Sequence, residues 1–171
     1  MTPSPWTDEP LAVHLGVREP LAQRLEHEAR AGGASVIRVD LARVHDRDGL
    51  AELLARTFMF PHETRGLDAA IDLISDLEWF GNPAGYLVIV EGMDRAREIV
   101  ATFARMLPNI VDRWRSQGGI FVVVLKGAES SREAASALAS ANSALEAAGQ
   151  LPWAQPGTGA VTVVDHTLET P

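Results

Sequence analysis

The sequence predicts an α/β fold, a three-stranded parallel sheet flanked by helices, followed by a C-terminal helix and an additional edge strand. Two observations carry that expectation. Residues 35–41 are rich in β-branched side chains, and residues 86–91 and 120–125 are nearly continuous apolar runs, as strands buried on both faces are. Between these runs lie stretches with the three-and-four spacing of helices. Strands joined by helical crossovers run parallel, and such crossovers are right-handed.

Taken in order, residues 1–10 are Pro-rich and expected to be loose. Residues 11–17 have strand character, weakened by Gly16. Pro20 suits a first helical turn, so a helix is expected over 20–30, stopped by Gly32 and Gly33. After the strand at 35–41, the turn Asp46-Arg47-Asp48-Gly49 offers an aspartate cap. Leu50, Leu53, Leu54 and Phe58 then mark one helical face, closed by Pro61. A second helix is expected over 67–79, and the cluster 81–85 is a turn. Beyond the strand at 86–91, a helix over 94–106 and another from Pro108 to Arg115 are expected, ended by Gly118 and Gly119. The strand at 120–125 follows. Residues 131–148 form an alanine-rich, weakly packed helix, 151–159 a Pro/Gly loop and 160–164 a last strand. The tail helix suits covering a sheet edge, or self-association.

The 171 residues suit one domain with appendages, or two very small ones. The expected division is an N-terminal extension (1–33), a central domain (34–127) and a C-terminal extension (128–171). The composition, 46% hydrophobic and 22% charged, excludes wholesale disorder. A formal net charge of −8 argues against direct binding of nucleic acid. It is compatible with a basic protein partner, and equally with a charge that only maintains solubility. The absence of cysteine excludes disulfides, thiolate metal sites and cysteine nucleophiles. The first residues do not read as a signal peptide, and no apolar stretch approaches the roughly 18 residues of a membrane span. A cytoplasmic location is therefore expected.

The informative segment is 67–79. On a helix, Leu67, Ala70, Ile71, Ile74 and Leu77 share one side, and Asp68, Asp72, Ser75, Asp76 and Trp79 share the other. An outward stripe of three carboxylates would thus end in an indole. Like charges at i and i+4 cost a helix about 0.2–0.5 kcal/mol per pair. Aspartate also competes for the backbone in helix interiors. Asp68 is excused by its place in the first turn, where an anion complements the helix dipole; Asp72 and Asp76 are not. Carboxylates one turn apart are separated by about 6 Å along the axis, a spacing on which phosphate-binding arginines and lysines can close. Trp79 has the chemistry of an interface anchor. A solvated acidic face with the tryptophan tucked against a neighbouring loop accounts for the same pattern.

These residues resemble a known family. The stretch from Asp48 through Leu50, Leu53, Leu54 and Phe58 to Pro61, followed by Gly66-Leu67-Asp68-Ala69-Ala70-Ile71-Asp72-Leu73-Ile74, is similar to barstar, and the element order over about 34–127 agrees. The resemblance implies a non-enzymatic protein inhibitor of a barnase-type ribonuclease, whose acidic helix fills the active site where RNA phosphates bind. Asp68 and Asp72 match the family's two helix aspartates, with Asp72 the principal contact. That ranking belongs to the family's type complex, a standard example of a dominant interface aspartate. Asp76, Trp79, Ser75 and Glu63 complete the expected partner-binding set. The sequence departs from the family in several places. Pro61-His62-Glu63-Thr64-Arg65-Gly66 replaces a loop one residue longer with paired tyrosines. Ile71 stands for a tryptophan, Leu73 for a cysteine, and Arg113 falls near a family acidic position. An immunity or interaction protein acting on a different secreted toxin is the alternative these departures suggest.

Other chemistry is thinly represented. His14, His27, His45, His62 and His166 are scattered, with no metal-site spacing among them. His62, beside Glu63, is next to the acidic helix and reads best as a plain loop residue. Ser130-Ser131-Arg132-Glu133 reads as a capping box. No catalytic triad, phosphate loop, metal or cofactor motif is present, and Asp68 and Asp72 lack a companion nucleophile or base. A small α/β enzyme is the weakest reading; a bound metal or nucleotide in the purified protein would revive it.

Overall fold

In the computed structural model, residues 11–81, 83–95, 97–127, 131–149 and 162–166 are described. The expectations for residues 1–10, for the loop 151–159 and for the first residues of the last strand lie outside them.

Among the described residues, five parallel strands form one sheet, in the order β2-β3-β4-β1-β5. They are β1 (Val13–Val17), β2 (Ser35–Asp40), β3 (Tyr86–Glu91), β4 (Phe121–Lys126) and β5 (Val163–Asp165). The parallel sheet flanked by helices is as expected, and β5 supplies the additional edge strand. The strand before residue 34 was expected only weakly. It lies inside the sheet, between β4 and β5, and all five of its residues are buried.

Strand period two sorts the side chains to two faces. Tyr86, Val88 and Val90 of β3 join the larger core with Val123 and Leu125, while Leu87 and Ile89 join a smaller one with Val122 and Val124. One helix, α1 (Glu19–Ala31), covers the smaller core through Ala22, Leu25 and Ala29. The larger core is covered by α2 (Arg47–Thr57), α3 (Leu67–Ile74), α4 (Arg97–Ser116) and α5 (Ser131–Gly149). Gly16 has a use the sequence did not disclose. At φ +64° it sits in a register shift between His14 and Val17. Val13 and Leu15 therefore face the larger core and Val17 the smaller.

Three expectations are corrected. The stretch after Glu91 is one 20-residue helix with Pro108 inside it, not two helices. An interior proline costs about 3 kcal/mol, but burial of Leu107, Pro108, Ile110 and Val111 carries the helix through it. The expected helix over 67–79 ends at Ile74, and Leu77, at φ +53°, turns the chain into a 3-10 turn over Glu78–Phe80. Leu77 is fully buried and accepts a bond from the Tyr86 hydroxyl, which holds that strained backbone in place. The alanine-rich α5 is not loosely packed along its first half: Ala134, Ala137 and Leu138 are buried in the larger core. The small side chains of Ala134 and Ala137 let the helix approach closely, and Leu138 fills the core beside them.

The edge strand brings together two histidines 152 residues apart. His14 Nδ1 lies 3.0 Å from His166 Nε2, with the rings stacked. His14 is 1% exposed and its Nε2 has no partner among the described residues. Burial first, and then His166, hold its pKa down to about 4, from an ordinary 6.5. As pH falls below about 6.5 the unfolded chain takes up a proton that the folded chain refuses until about 4. Stability should therefore be full above that window, decline through it by at most about 3 kcal/mol, and level off below it. Urea midpoints at pH 7, 5.5 and 4 (chosen about that window) check this for the wild type and His14→Gln. A variant whose pH dependence is as steep as the parent's would exonerate His14.

Candidate protein-binding site

The acidic face is assembled by α3 and the turns at its two ends. Asp46 caps the preceding helix as expected, accepting from Gly49 N at 2.7 Å. That helix closes with Phe60 N bonded to the Ala55 carbonyl and Met59 at φ +51°, which directs the chain into the loop 61–66. Gly66 enters α3 at φ +82°, where a side chain would be strained. Leu67, Ala70 and Ile74 then bury one face, which turns Asp68 and Asp72 outward.

Helix α4 fixes the far end of α3. Trp114 Nε1 donates to the Ile74 carbonyl at 3.0 Å, and Gln117 Nε2 donates to the Ser75 carbonyl at 2.9 Å. These carbonyls at the end of a short helix would otherwise lack partners. Arg113, beside Trp114, donates from Nη1 to Asp72 Oδ1 at 2.5 Å. Both members of that pair are well exposed, Asp72 by 67% of its side chain and Arg113 by 50%.

Of the six residues expected to meet a partner, Asp68 and Asp72 are exposed one turn apart on α3, Asp76 is exposed just past its end, and Glu63 is exposed in the loop before α3. Asp76 follows the helix rather than lying on it, and its charge helps burial to raise the Tyr86 pKa. Ser75 is corrected: it is 4% exposed, and its hydroxyl donates to the Ile71 carbonyl at 2.6 Å. Trp79 is also corrected, because it is half-buried and off the helix. Its Nε1 donates to the Phe58 carbonyl at 2.8 Å, and its ring meets Phe60 edge-on. The indole ties the two ends of the site together rather than standing out as an anchor. Between α2 and the loop runs a groove of about 680 Å³, lined among others by Glu52, Arg56, Glu63 and Arg65.

The ion pair of Asp72 with Arg113 and the carbonyl bonds of Trp114 and Gln117 were not legible in the sequence. They join residues 40 to 42 positions apart, and no local pattern encodes such a contact. Among the described residues no three His, Cys, Asp or Glu side chains gather as a metal site, and no helix is long and apolar enough to cross a membrane.

Residues 34–126 match the family described as Barstar (barnase inhibitor). No curated protein matches the chain. Among solved structures, the chain is similar to the ORC2 protein of Aeropyrum pernix in its ADPNP-ADP complexes, at 15% identity and a TM-score of 0.45. That similarity covers 90% of this chain and 41% of the other.

Proposed function

The chain belongs to the barstar family, and from that premise we propose that it is a cytoplasmic, non-enzymatic inhibitor that docks its acidic face into the basic active site of a barnase-type ribonuclease. The observation that carries this reading is the exposed pair Asp68 and Asp72 on a helix whose C-terminal end is fixed by Trp114 and Gln117, with Asp76 exposed just beyond it. A helix free to move would lose on ordering much of what its charges gain. Here the carboxylates are preorganised, and their backbone pays no such cost. Glu63 adds an exposed carboxylate in the loop before the helix, and the buried Ser75 hydroxyl bonds the Ile71 carbonyl within it. Phosphate mimicry requires carboxylates at fixed spacing facing outward, and this face supplies them.

Titration of the full chain into a barnase-type ribonuclease, following RNA cleavage, tests the proposal. One-to-one inhibition that weakens steeply with added salt is expected, since charged contacts at the rim of the enzyme's site are screened. Asp68→Asn should weaken it by about tenfold or more. Failure across a panel of such enzymes at micromolar inhibitor would overturn this reading. The altered loop 61–66 would then favour an immunity protein against a toxin of different chemistry, to be sought among the products of neighbouring genes.

A further inference from the structure

Of the carboxylates Asp68, Asp72 and Asp76, one is bonded directly to a cation; Arg47 and Arg65 line a pocket beside Asp68 without an ion pair to it among the described residues. Arg113 is bonded to Asp72, the central carboxylate of the row, through Oδ1, which leaves only Oδ2 open. Asp68 and Asp76 make no ion pair among the described residues. The face therefore presents a negative charge, a neutralised pair and a second negative charge.

In the free protein the pair contributes little to stability, because both side chains are in water. A covering partner changes that. A guanidinium buried without an acceptor costs several kcal/mol. The backbone that carries Arg113 has no retreat from the surface. Trp114 beside it and Gln117 one turn on are both bonded to carbonyls at the end of α3, so its backbone is locked against the acidic helix. Its neighbour Asp112 is already bonded to Arg115 at 3.0 Å. A partner arginine that needs both oxygens of Asp72 for a paired contact must first displace Arg113. It would then leave Arg113 facing a uniformly cationic surface.

We infer that Arg113 determines which partner this face accepts: an enzyme with cations opposite Asp68 and Asp76 and a carboxylate opposite Arg113, rather than a uniformly basic site. The inference rests on the docking face proposed above and adds the sign pattern of its partner. Arg113 acts by repulsion and unsatisfied charge against wrong partners as much as by attraction to the right one.

The test uses the full chain against a barnase-type ribonuclease with a uniformly basic active site. Dissociation constants are measured for the wild type, Arg113→Gln, and Arg113→Gln combined with Asp68→Asn. Arg113→Gln is expected to bind about tenfold tighter or more, with faster association at low salt. Adding Asp68→Asn should take back much of that gain. Thermal melts should differ little among the three, by no more than the small helix-dipole contribution of Asp68, since Arg113 and Asp68 are exposed. Equal or weaker binding by Arg113→Gln, with Asp68→Asn still harmful, would overturn the role of Arg113 and leave the docking face standing. Binding indifferent to Asp68→Asn, or absent in every variant, would overturn the inference together with the docking face beneath it.

Discussion

Replacing Trp114 by alanine is expected to destabilise the protein by about 3–5 kcal/mol, the range for truncating a large buried aromatic. The indole is 8% exposed, stacked on Phe121 with ring centres 5.7 Å apart and tilted against Tyr86 at 5.2 Å. Gly119 is fitted to it: a Cβ there would lie 2.6 Å from the indole Cε3. Truncation opens a cavity under the sheet and strips the Ile74 carbonyl of its donor. Trp114→Phe separates the two losses. It fills most of the volume but forfeits the bond, so it should cost about 1–3 kcal/mol. Urea unfolding measures both. A loss below about 1 kcal/mol in Trp114→Ala would show that α4 does not pin α3 as described. The same substitution should weaken partner binding at temperatures where the variant remains folded, because the end of the acidic helix loses its fixed position.

Asp72→Ala is the second large effect, and it is an effect on binding alone. In the free protein an exposed pair is lost, which costs under about 1 kcal/mol. In the complex the same change removes the central carboxylate and takes from Arg113, beneath the partner, the acceptor on its own chain. A loss of about 2–5 kcal/mol in affinity is expected against whichever ribonuclease the chain inhibits, about 30- to several-thousand-fold. Asp76→Ala, which releases no buried cation, should cost less. Inhibition titrations with matched thermal melts check both. A loss in Asp72→Ala no greater than in Asp76→Ala would contradict the central place given to Asp72. The double variant Asp72→Ala with Arg113→Gln should recover part of the loss, since the two residues are coupled by direct contact.

Much of the fold was legible because its signals are local. The apolar runs of β3 and β4 and the β-branched run of β2 marked three strands closely, with β3 at its observed limits. Asp46 with Gly49 announced the start of α2. The elements misjudged are those in which tertiary burial overrides a local rule. Pro108 reads as a helix start, yet it is buried mid-helix in α4. Leu77 reads as one more apolar position of a long helix, yet it takes a left-handed conformation and ends the segment. Gly16 reads as a weakness in a strand, yet it lets β1 serve both faces of the sheet.

The candidate site divides along the same line. The sequence by itself determined the family, the acidic row and the outward direction of Asp68 and Asp72. Those depend on side-chain types at helical spacing, and spacing is a property of neighbours along the chain. Only the tertiary structure decided that Ser75 is turned inward, that the Trp79 indole is engaged by the Phe58 carbonyl, and that Asp72 is held by Arg113. The last two follow from where elements distant in sequence come to lie, and the first from the end of the helix at Ile74. Helix α4, fixed by its own buried face, carries Arg113 to the acidic helix whether or not any residue near Asp72 foretells it.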